Sequence, residues 1–266
     1  MLKDVRDMKP MVHCITSPVT AYAICDILAC LGVRTFMAEE VEEIEDMTAG
    51  ADGLMLNMGM WKKEKLNSMI LAGKVANTFN HPIVLDPVGI GTSSLRRTAA
   101  LELLSTVSVT AIRGNYKEIL ALQKNKKTMK GIDGENNLIP LNEKIQLAKE
   151  VAKQFDTIIV LSGKKDILTD GTQTYLLENG CASMAQIVGT GCQSSAIITA
   201  FLAAKKSSPL YAALYGLGSF TIAGEMADLS LRKGEGLHSL AHRMSDIFYC
   251  LDDKEWEAKI RYEVIF

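Results

Sequence analysis

Apolar positions along the first two-thirds of the chain come in blocks, separated by longer stretches in which apolar and polar residues recur at helical spacing. The blocks are MVHCI (11–15), RTFMA (34–38), GLMLN (53–57), PIVLD (82–86), SVTAI (108–112) and TIIVL (157–161). Unbroken aliphatic and β-branched runs of this length predict strands covered on both faces, as in a parallel sheet. Thr20 to Leu31 reads as a helix that stops at Gly32, and Asn142 to Phe155 as another leading into the strand at 157. The acidic run EEVEEIED (39–46) predicts a solvated helix face with Val41 and Ile44 turned inward. Strand and helix thus alternate. That order predicts an α/β fold, a doubly wound, mostly parallel sheet flanked by helices.

The pattern changes after residue 165. DILT, the turn Asp170-Gly171 and TQTYLLEN predict a hairpin, and from Gly191 to about Leu251 the spacing is almost wholly helical. No linker rich in Pro or Ser divides the halves, which predicts a single domain over residues 1–266. The lysine-rich QKNKKTMKGIDGEN (123–136) reads as a solvated loop.

Composition narrows the function. With 48% hydrophobic residues the chain can fill a sizeable core, and a net charge of −2 gives no reason to expect nucleic acid or an acidic membrane as partner. The longest apolar stretch, Ala196 to Ala204, falls far short of the roughly 20 residues of a membrane span. The opening MLKDVRDMKP carries no apolar secretory core. Six cysteines without a CxxC pair read as reduced thiols, which predicts a cytoplasmic protein.

Candidate chemistry gathers where strands end, the edge at which open α/β sheets hold their ligands. Asp86 closes a strand in LDPVGIG (85–91), where it either caps the following helix or holds Mg²⁺, largely through water. In AIRGNYKEI (111–119), Asn115 and Glu118 have the spacing of a capping box, and Glu118 could also face a metal shared with Asp86. In IVGTGC (187–192), the amides of Gly189, Thr190, Gly191 and Cys192 open a helix and form a candidate anion hole. The spacing matches neither GxxxxGK[ST] nor GxGxxG.

In order along the chain stand HCIT, FMAEEVEE, LNMG, LDPVGIG, IRGNYKEI, SGKKD, TDG and VGTGC. This series resembles the hydroxyethylthiazole kinase family of the ribokinase-like superfamily, from about residue 10 to 225. The resemblance implies a ribokinase-like fold and phosphoryl transfer from ATP to the primary alcohol of 5-(2-hydroxyethyl)-4-methylthiazole, in thiamine synthesis or salvage. It implies Cys192 as the base, Met37 and Gly189 as substrate contacts, Arg113 and Ser162 as ATP contacts, and Asp86 with Glu118 around magnesium. It further implies a homotrimer whose active sites lie between subunits. Two positions depart from the family: Ser17, followed by Pro18, replaces an asparagine, and Ser162 replaces a threonine. A helix N-terminus should lower the pKa of the Cys192 thiol. The same setting would suit a nucleophilic thiol, for which His13 is the candidate partner.

Overall fold

The computed structural model describes residues 1–123 and 139–265. The lysine-rich stretch 123–136, apart from Gln123, therefore lies outside the described residues. The chain opens with α1 (Leu2–Met8), β1 (Met11–Ile15), α2 (Pro18–Cys30), β2 (Arg34–Phe36), α3 (Val41–Ala49) and β3 (Gly53–Asn57). It continues through α4 (Lys63–Thr78), β4 (Ile83–Asp86), α5 (Ser94–Thr106), β5 (Ala111–Asn115) and α6 (Tyr116–Leu122). After residue 138 come α7 (Leu141–Phe155), β6 (Ile158–Ser162), β7 (Asp166–Thr169) and β8 (Thr174–Leu177). The last part holds α8 (Thr190–Ala204), α9 (Pro209–Leu229), α10 (Leu237–Cys250), α11 (Asp253–Lys259) and β9 (Tyr262–Ile265).

The strands form one sheet in the order β2-β1-β3-β4-β5-β6-β7-β8-β9. Pairing is parallel from β2 to β6 and antiparallel from β6 to β9. Two apolar layers cover it, and successive strand residues serve opposite layers as the pleat requires. Ile158 and Val160 pack with α2, α8, α9 and α10, whereas Ile159 and Leu161 pack with α4, α5, α6 and α7. The mostly parallel, doubly covered sheet expected from the apolar blocks is what the chain forms. Among the described residues, no helix is long and apolar enough to cross a membrane.

The boundaries differ where polar side chains take over. The fifth strand begins at Ala111 and not at Ser108. The Ser108 amide donates to Asn77 Oδ1 at 2.9 Å, and Thr110 Oγ1 accepts from the Ile83 amide at 3.0 Å, so this segment is spent on turn contacts. β2 ends at Phe36, which leaves Met37–Glu40 as a loop. Val41 is 50% exposed, contrary to the inward stripe assigned to it, because it opens α3; Ile44 and Thr48 form the buried row, one turn apart. Strand β9 was not anticipated beyond the helical pattern. Ser17 and Pro18 have a local use: the Ser17 hydroxyl accepts from the Val19 amide at 3.3 Å as N-cap of α2, with Pro18 at its first turn.

Candidate active site

All six parallel strands end on one edge of the sheet, and side chains from three of them, β3, β4 and β5, face the N-terminal part of α8. The register aligns Asn57, at the end of β3, with Asp86, at the end of β4. Both are buried. Asn57 Nδ2 donates to Asp86 Oδ2 at 3.0 Å and to Cys192 Sγ at 3.1 Å. Its Oδ1 accepts the Gly59 amide at 2.9 Å, so the amide group is held in one orientation. Ser195 Oγ, one turn into α8, adds a second donor to Asp86 Oδ2 at 3.0 Å. The other oxygen, Oδ1, is buried with no partner among the described residues.

Asp86 does not cap the next helix. Ser93 does, its Oγ accepting from the Arg96 amide at 3.2 Å. That leaves the Asp86 carboxyl free for the site, where burial above all raises its pKa to about 6. The Glu118 charge adds to the rise, whereas Arg113 and the Ser195 and Asn57 donors oppose it. Glu118 does complete the expected capping box with Asn115. Glu118 Oε2 accepts the Asn115 amide and Oε1 the Gly89 amide, each at 2.9 Å, which ties the turn after β4 to the start of α6. Among the described residues, no three His, Cys, Asp or Glu side chains gather as a metal-holding group.

Arg113 emerges from β5 and lies across the first turn of α8. A methyl group on Gly191 would stand 2.5 Å from Arg113 Nη1, an approach only glycine permits while the guanidinium stays in place. Arg113 Nε is buried without a partner among the described residues. A cation therefore rests against the positive end of a helix, next to two carboxylates, with hydrogen-bonding capacity left over. Gly189 is the N-cap of α8 at φ +94, where its missing Cβ admits Thr20 of α2. Of the four amides expected to form the anion hole, that of Thr190 turns back to the Ile187 carbonyl at 3.5 Å. The amides of Gly191 and Cys192 sit in the first turn, where helix geometry supplies no intrahelical carbonyl.

The Cys192 thiol departs from expectation. Its pKa is raised to about 11 and not lowered: burial contributes most, followed by the Asp86 charge. Hydrogen bonds from Thr20 and Asn57 and the charge of Arg113 oppose these without winning. A helix terminus lowers a thiol pKa where the sulfur stays hydrated; here the sulfur is largely enclosed. The nucleophile reading also loses its partner. His13 is fully buried, with Nε2 donating to the Ala38 carbonyl at 2.8 Å and Nδ1 meeting Thr48 Oγ1 at 3.0 Å.

The structure thus brings Asp86, Glu118, Arg113, Gly191 and Cys192 together. Ser162 closes β6 on the same edge, opposite Asn115, with its hydroxyl on the Gly114 carbonyl at 3.3 Å. Met37 follows β2 at the outer flank, 37% exposed. Asn57, Ser195 and Thr20 were missed in the sequence. An amide closing an apolar strand, LMLN, was the available sign of Asn57. Asp166 was missed too; it is buried beside Arg113, its pKa raised to about 6 by burial, against the pull of the Gly163 amide and Arg113.

Known proteins resemble the chain over nearly its whole length. The model of the "HK: Hydroxyethylthiazole kinase family" matches residues 2–252. A hydroxyethylthiazole kinase of Clostridium acetobutylicum is 37% identical, covering 98% of this chain and 97% of its own. One from Halalkalibacterium halodurans is 38% identical over 84% of each. The solved structure of a hydroxyethylthiazole kinase protein from Pyrococcus horikoshii superposes with a TM-score of 0.87 at 31% identity, covering 100% of this chain and 97% of that one. A Staphylococcus aureus pyridoxal kinase, at 18% identity and a TM-score of 0.62, shares the fold.

Proposed function

The chain belongs to the hydroxyethylthiazole kinase family, and from that premise we propose how its site phosphorylates a thiazole alcohol. The protein is a kinase. It transfers the γ-phosphoryl group of ATP to the primary alcohol of 5-(2-hydroxyethyl)-4-methylthiazole, a step of thiamine synthesis or salvage. Such transfer asks for charge neutralisation and alignment more than for covalent catalysis. One observation carries the assignment: the Arg113 guanidinium lies on Gly191 at the N-terminus of α8, beside a buried carboxylate with an oxygen that has no partner among the described residues.

In this reading the amides of Gly191 and Cys192 receive the moving phosphoryl group, and Gly189 and Thr190 shape the turn that presents them. Arg113 holds phosphate oxygens with its planar fork, and Ser162 contacts the nucleotide from the neighbouring strand end. Asp86 would hold magnesium, since its buried Oδ1 has no partner among the described residues, with Glu118 beside it, its two oxygens already accepting the Gly89 and Asn115 amides. Magnesium held there would neutralise charge on the ATP phosphates. Asn57 and Ser195 fix which Asp86 oxygen remains available.

Cys192 stands next to that transfer point. Its sulfur keeps its proton in most molecules of the free chain, so the thiol orients the attacking hydroxyl and only the small thiolate fraction accepts the alcohol's proton, which makes Cys192 a weak base. A loose transition state tolerates this, since the alcohol gives up its proton only as the new bond forms. Met37 and Gly189 belong to the thiazole pocket, contributed by different subunits of a homotrimer. Support for that assembly is the exposed apolar rim beside Gly189: Val19, Tyr22 and Val188 are 68%, 82% and 75% exposed. The six unpaired thiols accord with a cytoplasmic location. The reaction is tested by ADP release from purified protein given ATP, magnesium and the alcohol, with hydroxymethylpyrimidine as the competing acceptor. Release that depends on the thiazole alcohol is expected; preference for the pyrimidine would overturn the substrate assignment.

A further inference from the structure

Lys65 occupies the first turn of α4, yet its side chain is only 7% exposed. Both circumstances disfavour an ammonium, which loses water on burial and meets the positive end of a helix. Burial does lower its pKa, and the neighbouring Lys62 lowers it further, while Glu39 works the other way. A side chain kept at such a cost has fixed partners. Lys65 Nζ donates to the carbonyl of Thr16, the residue after β1, and lies 3.4 Å from Glu39 Oε2. Ser68, one turn further along α4, donates its hydroxyl to the Glu39 carbonyl at 2.6 Å.

These contacts close a frame around the loop 37–40. His13 holds the Ala38 carbonyl from β1, and Lys65 and Ser68 hold Glu39 from α4. Lys65 thereby joins that loop to the end of β1, which runs directly into Ser17 and Thr20, and Thr20 borders Gly189. Met37, left partly exposed at the start of the loop, is the residue whose position this frame sets.

We propose that Lys65 is a positioning residue for the acceptor alcohol, latching the loop 37–40 to the end of β1. The inference rests on the thiazole-kinase reading and on the place of Met37 in the acceptor pocket. Lys65→Met keeps the length of the side chain and removes only the ammonium, and Glu39, already half exposed, can turn to water. Loss of a hydrogen bond to a charged group is worth about 1.5–3 kcal/mol. Amide hydrogen exchange at residues 38–40 should therefore quicken at least about tenfold, with the rest of α4 unchanged. The KM for the thiazole alcohol should rise about 10- to 100-fold, while kcat and the KM for ATP stay within about twofold. Glu39→Gln should shift the same two quantities less, and it carries the test if Lys65→Met does not fold. Unchanged exchange at 38–40 would overturn the latch. Faster exchange with an unchanged alcohol KM, or with all kinetic constants shifted together, would overturn the positioning role. Wild-type protein that does not turn over the thiazole alcohol would instead overturn the functional reading, and exchange would still decide the latch.

Discussion

Gly191→Ala separates the demands of the fold from those of the site. Gly191 lies in the first turn of α8 and is absent from the positive-φ glycines, so its backbone suits alanine. Alanine is the better helix former by up to about 1 kcal/mol, so stability should hold or rise slightly. The added methyl, however, would stand 2.5 Å from Arg113 Nη1 and 3.2 Å from its Cζ, and the guanidinium end must swing away. If Arg113 holds phosphate there, the variant forfeits charge-assisted bonds worth about 1.5–3 kcal/mol, or roughly 10- to 150-fold in kcat/KM for ATP. Thermal melts paired with initial rates over a range of ATP, at saturating alcohol, read both effects. In an Arg113→Ala background the added methyl should cost almost nothing more, since the two changes act on one contact. A folded Gly191→Ala protein with wild-type kcat/KM for ATP would refute the placement of the phosphates. So would additive losses in the double variant.

Three further outcomes follow from the same cluster. Asp86 is raised from 3.8 to about 6, so between these values the folded chain holds more protons than the unfolded one. Its ionised burial therefore costs stability above about pH 6, and that cost fades as pH falls through 6 towards 4. Asp86→Asn should then gain up to roughly 3 kcal/mol in urea melts at mildly alkaline pH, little at acid pH, and lose most turnover. A variant destabilised equally at both would contradict this. Cys192→Ala should slow turnover about 10- to 100-fold at saturating substrates without abolishing it, the low end of acid–base contributions; a dead enzyme would revive the nucleophile. Arg113→Lys keeps the charge but not the fork, so ATP use should weaken with the alcohol KM nearly unchanged; the converse pattern would place Arg113 in the other pocket.

The sheet was legible because its central strands β3, β4 and β6 are nearly continuous apolar blocks, a pattern that burial on both faces imposes. Strand ends were less so, since Ser108 and Thr110 look strand-like yet spend their polar groups on Asn77 and Ile83. The C-terminal strand was invisible: YEVI alternates over four residues only and gains its place by pairing with β8. Glu118 and Asn115 could be read from spacing, because a capping box is local. Asn57 and Ser195 could not, for their partners Asp86 and Cys192 are distant in sequence and meet only once β3, β4 and α8 are assembled. The Cys192 thiol shows the limit most clearly. Its position at a helix N-terminus was readable, whereas the enclosure that reverses its pKa shift is a property of the packed site.

In the proposed mechanism, phosphoryl transfer occurs over the first turn of α8, between the Asp86–Glu118 pair and Cys192. A crystal structure with magnesium, a non-hydrolysable ATP analogue and the thiazole alcohol tests it most directly. The γ-phosphate should lie on the amides of Gly191 and Cys192 with Arg113 against it, and the alcohol oxygen between that phosphate and Cys192 Sγ. A γ-phosphate bound away from these amides, or an alcohol whose hydroxyl does not reach Cys192, would rule out transfer at this turn.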